Sequence, residues 1–355
     1  MVALLPQQLK MVDIEVEPAM LGERQLKRGV SASSISRGEK IRKLREEGRL
    51  EEVIPLLYEV LEERKCEYGE MNSEVFKAMS SIARNLQTLG RNREAMPLFE
   101  AVLAGRKNIL GPLHPFTLNT MNDLGLCYKQ QGNLSKAEQL YTETLKGRRE
   151  VHSEKHPKIL TSMNNLAALL YAQGKLDEAV PLAREALEGR RDKLGDRHAD
   201  TLKAAFNLGM MLHAVNELEE ARLLLAEAHD GRKALLRAGN KATTLNDVLF
   251  NSFALATVIQ AQGGDAAQKE AVNLVSTTVA ECRASLGDTH PTTQRALSLL
   301  TIFLPDPTKG LNTEAEVGLN EDLSSSFASS IDIDDPSSTT KSPSQSATAK
   351  DAKEA

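Results

Sequence analysis

Residues 162–191 read SMNNLAALLYAQGKLDEAVPLAREALEGRR, and the rest of the chain repeats this stretch with variations. Leu166, Leu169 and Leu170, with the small Ala167, mark one apolar stripe at helical spacing. Gly174 interrupts the pattern, as a residue free to take positive φ does at a helix end. Asp177 stands where an N-cap is expected, ahead of a second stripe of Ala179, Leu182, Ala186 and Leu187. The stretch predicts two amphipathic helices joined by a turn, a hairpin that cannot bury its apolar face alone.

The period follows by subtraction. Turn residues Gly48, Gly90, Gly132, Gly174 and Asn216 are each 42 apart. Arg64, Arg106, Arg148, Arg190 and Arg232 keep the same interval, as do Ala95, Ala137, Ala179 and Ala221. Three marks on one clock predict a stacked helical repeat. Pro55, Pro97 and Pro181 share it and are expected in the first turn of each second helix. Ser135 and Glu138 suggest a capping box. His198 to His290 is 92 residues, so a sixth repeat carries about eight more than two strict periods, expected in a longer loop at Gly263-Gly264-Asp265. Residues from His290 to Leu304 give one further apolar helix, a cap for the stack.

Composition agrees with helices. The 355 residues are 41% hydrophobic and 26% charged, but only 4% aromatic with no Trp, which suits Leu/Ala packing. The net charge of −5 is uneven: residues 306–335 hold eight acidic side chains against Lys309 alone. The helical part is nearly neutral and offers no global field for nucleic acid or anionic membrane. Cys66, Cys127 and Cys282 form no CxxC pair and read as reduced, buried helix residues of an intracellular protein. No apolar run approaches the ~20 residues of a spanning helix, and the acidic residues Asp13, Glu15 and Glu17 argue against a transit peptide. The expected compartment is the cytoplasm. Three segments follow: 1–36, mostly disordered; 37–305, the helical array, opening with a short charged helix over Gly38–Glu47; and 306–355, a disordered, acidic, Ser-rich tail.

The run from His156 to Arg191 resembles a tetratricopeptide repeat of the kinesin-light-chain type. The small residue after Leu in the first helix recurs as Ala83, Gly125, Ala167 and Gly209. The inter-repeat LG…HP signature recurs as Leu110-Gly111 with His114-Pro115 and as Leu286-Gly287 with His290-Pro291, while His198-Ala199 departs from it. The resemblance covers about residues 38 to 304 and extends to nephrocystin-3-like adaptors. It implies an all-α, right-handed superhelical solenoid of about six 42-residue helix–turn–helix repeats, a C-terminal capping helix and disordered termini. Residues 1–36 lack the heptads that precede kinesin-light-chain repeats, so a place in a motor complex is not expected.

The resemblance also implies a concave groove, lined by the first helices, that takes an extended peptide. Its stripe is Asn119, Asn122, Leu126 and Lys129 in the third repeat. One period on it is Thr161, Asn164, Ala168 and Tyr171, then Lys203, Phe206, Met210 and His213; one period back it includes Lys77 and Arg84. An Asn side chain can satisfy a peptide amide, and Lys77, Arg84, Lys129 and Lys203 add positive potential for acidic groups. The expectation is a non-catalytic adaptor holding an acidic segment of a partner protein, with its own acidic tail as a competitor. Alternatives are a structural component of a cytoskeletal, motor or ciliary assembly, and a regulatory subunit of an enzyme. No cofactor or metal is expected: His114, His156, His198 and His290 open successive repeats too far apart to share an ion. The basic pairs ending the second helices, Arg148-Arg149 among them, are explained by the helix macrodipole, and nucleic acid is an unfavoured partner for want of interleaved aromatics.

Overall fold

The computed structural model describes residues 32–240 and 243–304. The expected disorder of most of 1–36 and of 306–355 lies outside the described residues, as does the acidic tail. Thirteen helices span the described part. Two units divide the chain, 1–56 and 57–355.

The first unit contains α1 (Ala32–Glu46), which begins inside the stretch read as lead-in, and the start of α2 (Leu50–Tyr68). Ile41, Leu44, Val53 and Ile54 are its buried apolar residues, and Gly48 turns the chain between the helices at φ 72°.

The second unit holds the repeats. They are α3 (Ser73–Thr88) with α4 (Asn92–Leu110), α5 (Pro115–Gln130) with α6 (Leu134–Val151), and α7 (Pro157–Ala172) with α8 (Leu176–Leu194). Then come α9 (Ala199–Ala214) with α10 (Leu218–Arg237), α11 (Leu245–Gln262) with α12 (Asp265–Leu286), and the single α13 (Pro291–Phe303). Each helix packs on its neighbours in sequence, so the stack grows hairpin by hairpin. With α1 and α2 these are the six pairs and the cap that the period implied.

The turns end as Schellman motifs. Lys175 N–H reaches Leu170 C=O and Gly174 N–H reaches Tyr171 C=O, both at 2.9 Å, with Gly174 at φ 75°. Asn216 takes the same left-handed conformation at φ 63°, which its short polar side chain tolerates. The opening histidines are N-caps. Nδ1 of His114, His156 and His290 each accepts a backbone N–H at 3.2 Å, and that of His198 at 3.1 Å.

Several local expectations move. The N-cap of α8 is Lys175, and Asp177 lies inside the first turn. Asn133, not Ser135, caps α6, accepting from Lys136 N–H at 3.2 Å. Glu138 instead bonds Gln173 and Lys175 of the next hairpin. Pro55, Pro97 and Pro181 are each the sixth residue of their helix, in its second turn. They sit on exposed positions, where the carbonyl left without a donor is open to water. Cys66 is exposed, whereas Cys127 and Cys282 are buried. No long loop forms at Gly263-Gly264, which is a two-residue turn. From His198 to the N-cap Thr244, and again from Thr244 to His290, is 46 residues. Three of the extra residues lie between α10 and α11, one lengthens α10 itself, and α11 and α12 lengthen to take up the rest.

Two features of the Gly-Arg dipeptide lock the stack. Gly105, Gly147, Gly189 and Gly231 let a first-helix side chain press on the second helix of its own hairpin. A Cβ on Gly147 would lie 2.7 Å from Leu118 Cδ2, and one on Gly105 only 2.0 Å from Phe76 Cζ. The next residue reaches the following hairpin. Arg148, 1% exposed, donates to Lys158 C=O at 2.8 Å and Ser162 Oγ at 2.7 Å on α7, and to Asn119 Oδ1 at 2.9 Å on α5. Arg106 donates to Thr120 Oγ1 at 2.6 Å, Arg190 to Asp200 C=O at 2.8 Å and Arg232 to Asn251 Oδ1 at 3.4 Å. The macrodipole is thus not the main reason for these arginines. Burial pushes Arg106, Arg148 and Arg190 down to about 10, so each remains a cation at neutral pH inside a cage of oxygens.

At the far end α13 keeps the histidine cap but changes the face that meets a second helix. Four residues after the cap, Leu118, Leu160 and Leu202 are buried, whereas the counterpart Gln294 is exposed, as are Ser298 and Thr301. The helix covers α12 and presents a polar surface outward.

Four outcomes are expected. Arg148→Lys loses the forked donor and should cost about 2–3 kcal/mol in urea denaturation. Arg149→Lys, whose 3.4 Å contact with Glu185 is exposed, should change stability by less than about 0.5 kcal/mol. Gly105→Ala should lower the melting temperature more than Gly147→Ala, because the Phe76 ring cannot rotate away as Leu118 can; overpacking of this kind costs about 1–3 kcal/mol. Burial holds His156, with help from nearby His152, and the buried His229 below the usual imidazole range. The unfolded chain therefore binds more protons as pH falls through about 6.5. Stability should be complete above about pH 7 and decline toward pH 5; an identical urea midpoint at pH 7.5 and 5.5 would contradict this.

Candidate functional site

The wall expected to bind peptide is made by α3, α5, α7 and α9. These helices lie side by side because polar side chains join them. Asn165 Nδ2 donates to Asn122 Oδ1 at 3.1 Å, and Asn207 Nδ2 to Asn164 Oδ1 at 3.0 Å. Between α3 and α5, Arg84 Nη1 meets Asp123 Oδ2 at 3.3 Å and Gln87 Nε2 donates to Asp123 C=O at 3.0 Å.

This joinery uses much of the stripe read as groove-facing. Asn122, Asn164, Ala168, Phe206 and Met210 are buried. The two asparagines lie between adjacent first helices, so they hold the stack together below the surface of the wall. Phe206 lies under the Arg232 guanidinium, 5.4 Å from its ring centroid. The face that remains accessible comprises Lys77, which is exposed, and Arg84, Asn119, Leu126, Lys129, Tyr171, Lys203 and His213, which are partly exposed. Asn119 already gives its carboxamide oxygen to Arg148.

The four cations differ in what they hold. Lys77 Nζ is 2.5 Å from Glu74 Oε1, and this contact holds the Glu74 carboxyl below its usual range. Arg84 is engaged by Asp123, and Lys203 has a partner of its own. Lys129 is different: among the described residues it has no ion pair and no hydrogen-bonding partner for its ammonium. Burial alone pushes it down to about 8. It is a cation partly withdrawn from water with nothing to compensate it.

Lys129 belongs to a row in the last turn of each first helix: Gln87, Lys129, Tyr171 and His213, at 42-residue intervals. Burial raises the Tyr171 phenol and lowers the His213 imidazole. It also pushes the Cys127 thiol beneath the row up to about 12, which leaves that sulfur unreactive. A row of amine, phenol and imidazole can donate hydrogen bonds to acidic or carbonyl oxygens.

The second helices carry their own ladder. Lys107 pairs with Glu143 at 3.2 Å, Arg149 with Glu185 at 3.4 Å and Arg191 with Glu227 at 2.5 Å, each 36 residues on. The first member of each basic pair is buried and the second is paired, so these residues leave no unopposed basic stripe for phosphates. Among the described residues, no group of three or more His, Cys, Asp and Glu could hold a metal ion, and no helix is long and apolar enough to cross a membrane.

Sequence reasoning missed Asn165, Asn207 and the glycines before the arginines. The signal was present in the glycines, since Gly105, Gly147, Gly189 and Gly231 keep the 42-residue clock.

The comparisons with known proteins follow this geometry. The tetratricopeptide repeat family model matches residues 74–150, 130–192 and 158–234. No curated protein sequence matches the chain. Among solved structures, a variant of a Podospora anserina kinesin light chain with nearly identical tetratricopeptide-like repeats is 23% identical. The match covers 59% of this chain and all of that one, with a TM-score of 0.51. BtubC (BKLC) from P. vanneervenii is 20% identical over 74% of this chain and 96% of its own, with a TM-score of 0.56. The signal-transduction ATPase PH0952 of Pyrococcus horikoshii, which has a tetratricopeptide repeat sensor, is 12% identical over 84% of this chain and 44% of its own, at 0.58. Residues 74–234 are tetratricopeptide repeats, and the chain is a helical protein-interaction scaffold whose fold is that of the kinesin-light-chain-like repeat proteins.

Proposed function

We propose that the chain is a non-catalytic adaptor of the cytoplasm that holds an extended, acidic segment of a partner protein along the wall of first helices. The observation that carries this reading is Lys129. A charge that is partly desolvated and has no partner is a cost in the free protein. An incoming carboxylate removes that cost and adds a charge-assisted hydrogen bond. Lys77, Arg84 and Lys203, each already engaged, contribute less to this attraction. Tyr171 and His213 continue the row one and two repeats along. With neighbouring helices about 9 Å apart, the row is the length of about six extended residues. Leu126, Asn119 and Thr161 border it and complete the contact surface.

The acidic stretch 306–335 offers the same chemistry within the chain. In this reading it competes with partner peptides, and phosphorylation of its serines strengthens the competition.

The probe is a fluorescein-labelled octaglutamate peptide, with anisotropy as the readout. Lys129→Gln should weaken its binding about tenfold. Ending the chain at Pro305 should tighten it. Equal affinity for wild type and Lys129→Gln would refute the anion site, and equal affinity with and without the tail would refute the competition. Asn122→Ala and Asn164→Ala should lower the unfolding midpoint, because both side chains join helices.

A further inference from the structure

We propose that Lys129 is the preferred site of N-acylation by acyl thioesters in this array, and that acylation there switches off anion recognition by the wall. The second half rests on the reading of Lys129 given above; the first does not.

The argument is one of contrast among lysines. Lys107, Lys155, Lys175 and Lys233 each form an ion pair with a carboxylate, Glu143, Asp192, Glu138 and Glu281 respectively. Lys77 is paired with Glu74 in the same way. Lys146 and Lys269 are exposed, where water solvates the charge. Lys129 is neither paired nor fully solvated. It stands at the end of α5, partly exposed, and no carboxylate among the described residues pairs with it. Such an environment raises the share of free amine, the nucleophilic form. The downward shift to about 8 agrees with this, and desolvation is its only cause.

In the reaction the amine nitrogen attacks the acyl carbon of the thioester. The N–C bond forms, the C–S bond breaks, the thiolate leaves, and the nitrogen gives up one proton to water. The product is a neutral amide. It removes the uncompensated charge from a partly dry site, so the acylated chain should be no less stable than the free one. It also removes the one cation of the wall that has no partner among the described residues.

The experiment uses the full chain and the thioacetate of N-acetylcysteamine, with site occupancies followed by mass spectrometry of proteolytic peptides. At pH 7 the initial rate at Lys129 should exceed that at Lys146 at least about tenfold, since an ordinary lysine near 10.4 holds far less free amine. The gap should narrow as pH approaches 10. A rate at Lys129 no greater than at Lys146 would overturn the acylation site. The same acylated chain is then titrated with labelled octaglutamate. Fast acylation with weakened peptide binding supports both halves. Fast acylation with unchanged binding keeps the modification site and sinks its regulatory role together with the anion reading. Lys129→Arg, which keeps the charge and lacks the amine, should abolish the effect of the thioester on binding; persistence of that effect would assign it to another lysine.

Discussion

The buried arginine of each second helix is the constraint on which the stack depends. A guanidinium has five donors in a fixed plane, and out of water each must find an oxygen. Arg148 finds them on two helices at once: a carbonyl and a hydroxyl on α7 of the next hairpin and a carboxamide on α5 of its own. Its own hairpin and the one after must be in register for this to happen. Apolar packing alone would permit some sliding of one hairpin over the next. A caged cation does not, because a displacement of an ångström leaves donors unpaired in a dry interior. The glycine before it works in the same direction, bringing each first helix hard against its own partner.

These demands explain what the sequence makes legible. Period, helix pairing, turn positions and the closing cap all express spacing along the chain, and spacing can be read by subtraction. The side to which a polar residue turns is a property of the assembled stack. Asn122 and Asn164 have the composition of ligand-binding residues and sit on the expected helix. Yet their angle points toward the adjacent first helix, and the carboxamides meet each other's neighbours. Lys129, two turns beyond Asn122, is partly exposed and has no ion pair or hydrogen-bonding partner among the described residues. No periodicity separates the two cases, since both lie on the 42-residue clock. The sixth repeat was misread for a related reason. A Gly-Gly pair suggests a loop, but here both glycines adopt positive φ in a two-residue turn, and the extra length went partly into the α10–α11 connection and partly into helices.

Polar residues in this array therefore do two kinds of work. Arginine, asparagine and the capping histidines satisfy one another and the backbone, giving specificity of register rather than affinity for an outside molecule. The acidic and basic residues of the second helices pair across repeats and cancel locally. Among the described residues Lys129 differs from these groups in having neither an ion pair nor a hydrogen-bonding partner for its ammonium.

The polar face of α13 has a consequence for assembly. In a linear stack, the trailing surface of each unit fits the leading surface of the next, and nothing in that geometry limits the number of units. Two chains could in principle join end to end by the contacts that join hairpins within one, and such heterologous contacts propagate into filaments. Gln294, Ser298 and Thr301 stand where Leu118, Asn122 and Gly125 make the corresponding contacts in the third repeat. A second helix from another molecule would find hydrated side chains there instead of a leucine and a close-approach glycine. At these three positions the last described helix carries exposed polar side chains, which end the apolar surface that the earlier first helices present.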